Sequence, residues 1–232
     1  MNNNGYTATA VILAAGSGSR MKSSLTKQRM TVLGETVLHR AARAFDECDE
    51  ITDITVVVRA DEVEFARAEL SDLSKPVSVV VGGDTRAESA KIGFLSIADR
   101  TDFVAIHDAA RCLVTPEMIT RVLNTAYECG AATAAAPVFD TVKCVDGEGR
   151  IISTPARSTL RLATTPQAFS TAIYRAALEF SDDYTGVTDD NMLVERSGAE
   201  VFCVDLGVEN IKITTMQDVK LAEIILEARK NV

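Results

Sequence analysis

Apolar positions along the chain fall into two alternating kinds of run. Ala10–Leu13, Ile54–Val58, Val77–Val81 and Phe103–Ile106 are short, β-branched and four or five residues long, as expected of strands buried on both faces. Between them, Val37, Leu38, Ala41, Ala42 and Phe45 recur at helical spacing, with Arg40, Arg43 and Asp46 on the outward side. Ala87–Ile97 and Glu117–Tyr127 follow the same pattern. Thr115-Pro116-Glu117 reads as a helix start, with threonine as cap and proline in the first turn.

Alternation of this kind implies a mostly parallel sheet with helices on both faces, a Rossmann-like α/β fold. Ligands of such sheets sit beyond the carboxyl ends of the strands. Gly16–Arg20, Gly82–Arg86 and His107–Arg111 are thereby expected along one edge. The alternation lapses at Val138–Thr165. There Val138–Val145, the turn Asp146-Gly-Glu-Gly149 and Arg150–Thr154 read as a β-hairpin. No helix follows to cover it, so it is expected to project as an arm and dock on a second copy of the chain. Helices near Ser170–Phe180 and Asp189–Ser197, a strand at Glu200–Val204 and a helix at Gln217–Arg229 complete a single domain over residues 1–232.

Composition narrows the function classes. A formal net charge of −9 lacks the basic footprint of a nucleic-acid binder. No apolar stretch approaches the roughly 20 residues that span a bilayer. The leader Met-Asn-Asn-Asn-Gly-Tyr has no Lys or Arg ahead of the apolar run, unlike a signal peptide, so a cytoplasmic location is expected. Five scattered cysteines, none in a C-x-x-C pair, and two histidines leave little for a zinc site and read as free thiols. Cys112 alone stands beside a candidate site segment.

Charge is unevenly placed. The first acidic residue is Glu35, and before it lie Arg20, Lys22, Lys27 and Arg29 around the glycine-rich Gly16-Ser-Gly-Ser-Arg20. Such a cluster needs an anion, or buried carboxylates, to balance it. Backbone N–H groups at a Gly-rich turn make phosphate the natural choice. The segment lacks the third glycine of a dinucleotide fingerprint and the Gly-Lys-Ser/Thr of a Walker A loop. Gly82-Gly83 would permit close approach of backbone to ligand. Asp108, at a strand end, is placed to hold Mg²⁺, and Arg111 to grip a phosphate, although the two could equally pair with each other. Lys212, set between Ile211 and Ile213, calls for an anionic partner. Asp182-Asp183 and Asp189-Asp190 read as a solvated loop and a helix cap.

Taken together, these segments resemble the 2-C-methyl-D-erythritol 4-phosphate cytidylyltransferases over essentially the whole chain. The resemblance rests on LAAGSGSRM from Leu13, Lys27-Gln28, GGDTRAES from Gly82, HDAAR from His107 and Asp140-Thr141-Val-Lys143. It continues through Arg157-Ser-Thr-Leu, Thr165-Pro-Gln-Ala-Phe169, Thr188-Asp189 and Asn210-Ile-Lys212-Ile-Thr214. It implies transfer of a cytidylyl group from CTP to a phosphorylated polyol with release of pyrophosphate, aided by Mg²⁺. It further implies CTP contacts at Ala14, Ala15, Gly16, Gly18, Gly82, Asp84 and Ser89, and catalytic cations at Arg20, Lys27, Arg157 and Lys212. Asp108 would bind the metal, and Asp108, Arg111, Thr141, Arg157, Thr165 and Lys212 would receive the polyol phosphate. Thr141 and Arg157 would act in the neighbouring subunit of a homodimer. Thr26, Arg29, Cys112 and Thr164 depart from the family pattern, where Pro, an aromatic, Pro and Gln are usual.

The nearest alternative is the related cytidylyltransferase acting on ribitol or ribulose 5-phosphate. Leu13-Ala-Ala-Gly16 and His107-Asp-Ala-Ala-Arg111 favour the methylerythritol phosphate enzymes over it. A glycosyltransferase would call for a D-x-D motif, and the chain has none. A non-catalytic nucleotide-sensing module could dispense with Arg20, Lys27, Arg157 and Lys212, which are all present.

Overall fold

The computed structural model of the chain describes residues 5–16, 26–180 and 184–230. In chain order, β1 (Ala8–Leu13) is followed by a small hairpin of β2 (Thr31–Val32) and β3 (Glu35–Thr36), then α1 (Val37–Asp46), β4 (Asp53–Val58), α2 (Val63–Glu69) and β5 (Val77–Val81). Next come α3 (Arg86–Leu95), β6 (Phe103–Asp108), α4 (Pro116–Cys129), β7 (Ala131–Pro137) and a second hairpin of β8 (Cys144–Val145) and β9 (Ile151–Ser153). The chain closes with β10 (Arg161–Ser170), α5 (Thr171–Phe180), α6 (Asp190–Arg196), β11 (Phe202–Asp205) and α7 (Met216–Lys230).

Seven strands form one sheet in the order β11-β7-β10-β6-β1-β4-β5. All neighbours are parallel except β10, which runs antiparallel to both β6 and β7. The pleat sends alternate residues to opposite faces. Ala10, Ile12, Ile54 and Val56 pack with Leu38, Phe45, Ile119 and Leu123 of α1 and α4. Val11, Leu13 and Val57 pack with Phe94, Tyr174 and Leu193 of α3, α5 and α6. The expected α/β architecture with helices on both faces is therefore present. A third cluster joins α1 to α7 through Val37, Ala41, Leu113, Ile213 and Val219.

Local signals act as expected at the helix starts. The Thr36 hydroxyl accepts the His39 N–H at 3.0 Å, and the Thr115 hydroxyl accepts the Met118 N–H at 3.3 Å. Gly130, with φ of 87°, ends α4 in a conformation that strains any L side chain. The C-terminal ends of β1, β5 and β6 face the same edge, which positions the site. Among the described residues no helix is long and apolar enough to cross a membrane.

One expectation needs correction, and one strand was not foreseen. The arm ends near residue 160, because Arg161–Ser170 forms β10 inside the main sheet, and Thr165 lies there too. β7 escaped the sequence reading because Ala131–Pro137 is mostly alanine, which carries no β-branched signal. The arm's hairpin is present but short, with Asp146 Oδ1 accepting the N–H groups of Glu148 and Arg150 at 3.0 Å each. Phe139, Val145, Ile151 and Ile152 are exposed on it.

Candidate active site

A cleft of 430 Å³ opens at the carboxyl edge of the sheet. Leu13, Ala15 and Gly16 from the end of β1, Gly83–Arg86 and Ser89 from the start of α3, and Asp108 and Ala110 after β6 form its walls. Lys27, Gln28, Lys212 and Thr214 close it. The described parts of the three segments expected at one edge thus converge: Gly16, Gly83–Arg86, and Asp108 with Ala110. Gly82 lies behind this wall: a Cβ there would stand 2.8 Å from the Ala15 Cβ and 2.7 Å from the Ser89 hydroxyl. Glycine lets the β1 tail and the head of α3 approach each other. Charged lining residues are Lys27, Arg86 and Lys212 against Asp84 and Asp108, an anion-attracting balance in an otherwise acidic protein.

Asp108 is the electrostatic centre. Lys212 Nζ donates to its Oδ2 at 2.6 Å and Arg86 Nε to its Oδ1 at 3.1 Å. Burial alone would raise the Asp108 pKa, but the charges of Arg86 and Lys212 hold it far below the usual carboxylate range. The anionic partner expected for Lys212 is therefore Asp108. Lys212 sits in an irregular segment anchored by Ile213, whose N–H donates to the Ala110 carbonyl at 2.7 Å. Asp108 supplies one carboxylate, with about four lone-pair positions of which the cations occupy two. A hard divalent ion that takes its other ligands from phosphates and water fits such a donor. No group of three His, Cys, Asp or Glu that could hold an ion stands together among the described residues.

Beneath this centre a hydrogen-bond chain fixes the turn after β6. The Asp108 N–H donates to the Thr165 hydroxyl at 3.0 Å, and the same hydroxyl meets His107 Nδ1 at 3.0 Å. His107 Nε2 lies 3.2 Å from the Arg111 carbonyl, an acceptor only, so Nε2 carries the proton and Nδ1 accepts from Thr165. Burial depresses the His107 pKa to about 3, keeping the ring neutral. The Thr165 hydroxyl, expected at the substrate, accepts from Asp108 and donates to His107, which leaves it one lone pair to accept a further bond. Arg111 donates from Nη1 to the Asn210 carbonyl at 3.0 Å, and burial lowers its pKa. Neither lines the cleft.

Gly18 and Arg20 lie outside the described residues, as do Lys22 and Asp182-Asp183. Beyond them, Ala14 is buried, and its carbonyl accepts the Gln28 side chain, which ties the Lys27 turn to β1. Thr141 and Arg157 sit on the arm and do not line this cleft. Arg157 is exposed and donates to the Phe139 carbonyl. Arg86 and Asp190 were missed. Asp190, read as part of a solvated cap, is 1% exposed and accepts from Arg86 Nη1 at 2.7 Å and the Tyr174 hydroxyl at 2.6 Å. Asp189 is the cap, accepting the Met192 N–H at 3.1 Å. A signal for Arg86 did exist: a cation in the first turn of a helix opposes the helix dipole and calls for carboxylates.

Comparison with known proteins gives the family. The family model for 2-C-methyl-D-erythritol 4-phosphate cytidylyltransferase (IspD) matches residues 8–228. The chain belongs to this family. The Geobacter metallireducens enzyme of that name is 40% identical over 228 residues, covering 95% of this chain and 97% of its own. That of Caldanaerobacter subterraneus is 39% identical over 225 residues, covering 94% and 98%. The crystal structure of 4-diphosphocytidyl-2C-methyl-D-erythritol synthase from Anaerococcus prevotii superposes with a TM-score of 0.86 at 29% identity, covering 96% of this chain and 99% of that one.

Of the four departures from the family pattern, those at Arg29 and Cys112 have local explanations. Arg29 pairs with the buried Glu62 at 2.9 Å and lies 4.2 Å over the Phe65 ring, so it is balanced inside the protein and stacks on the aromatic ring of α2. Of the two ways to neutralise the opening cations, Arg29 uses the buried carboxylate. Cys112 is buried, and burial pushes its thiol up to about 11, an inert packing residue in the cluster with Ile213. The Thr164 carbonyl accepts Gln167 Nε2 at 3.3 Å. Nothing in the structure explains the side chains of Thr26 or Thr164.

Proposed function

We propose that the chain transfers the cytidylyl group of CTP to 2-C-methyl-D-erythritol 4-phosphate, in isoprenoid synthesis by the non-mevalonate route. The observation that carries this reading is the Lys212–Asp108–Arg86 cluster in a cleft that also presents Lys27 and the glycine-lined end of β1. Family membership along the length of the chain supplies the substrates.

An oxygen of the acceptor phosphate attacks the α-phosphorus of CTP. The new P–O bond forms as the bond to the bridging oxygen breaks, and that electron pair leaves on pyrophosphate. A phosphate oxygen needs no activating base, so the barrier is the repulsion between two polyanions. Positioning and charge neutralisation are what the protein must supply. Ala14, Ala15, Gly16, Gly18, Gly82, Asp84 and Ser89 hold the nucleotide, Arg20 and Lys27 neutralise its phosphates, and Lys212 orients the incoming phosphate. Mg²⁺, bound by Asp108 and the triphosphate, would add charge neutralisation at the same place. Arg111, with its buried, unpartnered Nε, would face the polyol side with Thr165 behind it.

In this reading Thr141 and Arg157 serve the cleft of a second copy. The exposed Phe139, Val145, Ile151 and Ile152 on the same arm support a homodimer formed through it. A cytoplasmic location accompanies it, supported by five free cysteines. The test is pyrophosphate release from CTP and Mg²⁺ against a panel of polyol phosphates. Turnover with 2-C-methyl-D-erythritol 4-phosphate is expected. Turnover with ribitol 5-phosphate alone would transfer the assignment to that substrate, and CTP binding without any release would make the chain a nucleotide sensor.

A further inference from the structure

Two carboxylates hold Arg86 from different directions. Its Nε meets Asp108 at the end of β6 and its Nη1 meets Asp190 at the start of α6, at 3.1 and 2.7 Å. Asp108 borders the cleft, whereas Asp190 does not line it and is 1% exposed. Asp190 is in turn fixed on three sides. The Tyr174 hydroxyl donates to its Oδ1 at 2.6 Å, Gln167 Oε1 accepts its N–H at 3.0 Å, and Asp189 caps the same helix turn. Gln167 belongs to β10 and Tyr174 to α5, so the buried carboxylate is referenced to the sheet and to the helix behind it.

A buried charge of this kind is costly to retain and is weak evidence for stability. The pair also lies on the path between the scaffold and Asp108. If Arg86 were held by Asp108 alone, both could swing together into the cleft or toward Lys212. With Asp190 as the second anchor, the guanidinium plane is fixed at two points and Asp108 has a fixed partner.

We propose that Asp190 is a positioning residue for nucleotidyl transfer, acting through Arg86 to set where the Asp108 carboxylate stands in the cleft. The inference deepens the reading of the cleft as a cytidylyltransferase site and rests on it. A misplacement of about 1 Å at a reacting centre can cost on the order of a hundredfold in rate. That sets the scale of the expected effect.

The experiment is a double-mutant cycle in kcat and in KM for CTP on the full-length protein, using Asp190→Asn, Arg86→Gln and both together. Asparagine keeps an oxygen for the Tyr174 hydroxyl and the backbone N–H for Gln167, but faces Arg86 with an amide in one orientation and no charge in either. Asp190→Asn is expected to lower kcat about ten- to a hundredfold, with KM for CTP changed by less than about threefold. The double variant is expected to be no slower than Arg86→Gln alone, because the two residues act as one unit. Val194→Ala, a buried packing change on the same helix, controls for stability: it is expected to lower the melting temperature without moving kcat.

A folded Asp190→Asn protein with the kcat of the wild type would overturn the proposal, as would effects that simply multiply in the cycle. Should Asp190→Asn not fold, Arg86→Lys decides the matter. Lysine lacks the two separated donor nitrogens with which Arg86 reaches Asp108 and Asp190, so kcat is expected to fall; unchanged turnover would reject the bridge. All ratios are taken on whichever acceptor the wild type uses. A wild type silent on 2-C-methyl-D-erythritol 4-phosphate therefore strikes the substrate assignment, whereas flat ratios strike Asp190.

Discussion

Arg86 and Arg157 are both arginines in segments that mark the family, yet their surroundings are opposite. Arg86 stands between two carboxylates, one of them fully buried, at the foot of a helix whose first turn disfavours a cation. Arg157 is exposed, donates to a carbonyl of its own arm and is accompanied by exposed Phe139, Ile151 and Ile152. The cleft is organised within one chain: Arg86 and Lys212 have their counter-charges before any ligand arrives. The arm has an apolar surface and, among the described residues, no carboxylate paired with Arg157, which is what the proposed docking on a second copy would use. In the proposed reading a single subunit holds the nucleotide side of the site and carries an arm that serves a second copy.

The largest effect should come from dividing that comparison between two subunits. Lys27→Ala, on the cleft side, is expected to lower kcat by about a hundredfold or more, the scale of losing one preorganised stabilising group. Stability should change by about 1 kcal/mol or less. A folded variant with undiminished kcat would remove Lys27 from the mechanism. Arg157→Ala, on the arm side, should also be slow when alone. If the arm serves the neighbour's cleft, mixing the two proteins with subunit exchange regenerates one intact site per hetero-dimer. Activity should then return to about a quarter of the wild-type value. Confirmed exchange with no recovery would place Arg157 outside the shared site.

Acid should separate the regions next, because the cleft rests on a buried titrating ring and the arm's titrating groups are solvated. His107 is fully buried, and its folded pKa of about 3 lies below its ordinary value of 6.5. As pH falls below 6.5 the unfolded chain takes up the proton first, so stability declines at up to about 1.4 kcal/mol per pH unit. His39 works in the opposite sense. Burial lowers its pKa, but Glu35 and Asp72 outweigh this and raise it, so its contribution is lost as pH rises above 6.5. Glu35, lowered to about 2 by Arg43, His39 and Arg40 against burial, loses its contribution only as pH falls through 4.5 toward 2. Between pH 6.5 and 5 the two histidines act with opposite signs, so the His107 part is read as the difference between denaturant titrations of the wild type and of a His107 variant that keeps His39. His107→Asn, which retains an acceptor for the Thr165 hydroxyl, should flatten the slope there. An equally steep decline in the variant would mean that another group carries it.

How much of this was legible in the sequence follows from where the signal was chemical and where it was steric. The strands β1, β4, β5 and β6 announce themselves by β-branched runs, and the glycine and aspartate segments at their ends fall on one edge as expected. β7 is an alanine strand that only its neighbours make extended. β10 was hidden because its first half looks like the exposed arm and its second half is fully buried. In the site, Lys212 was suspected from its apolar flanks, and its partner proved to be Asp108. Asp190 could not be distinguished from a cap. A pair of aspartates at a helix start reads the same whether the second points to solvent or to an arginine 104 positions earlier. The long-range partner, not the local pattern, gives it meaning.

Arg29 offers the smallest and most discriminating test, since it belongs to the loop by sequence but to the scaffold by contact. Its pairing with Glu62 and stacking on Phe65 tie the Lys27–Arg29 turn to α2. Gln28 ties the same turn to β1. Lys27 is thus carried on a turn fastened on both sides. Glu62→Gln removes the charge while leaving an oxygen to accept from Arg29, so the turn should loosen without a buried ion being stranded. Because Arg29 is more than a third exposed, the pair is discounted to about 0.5–1 kcal/mol. If that energy holds Lys27 in place, kcat should fall about two- to fivefold. A melting temperature that drops while kcat stays constant would show that the pair secures α2 alone. Lys27 would then take its position from Gln28 and β1, and the cleft's rigidity would owe nothing to the departure at Arg29.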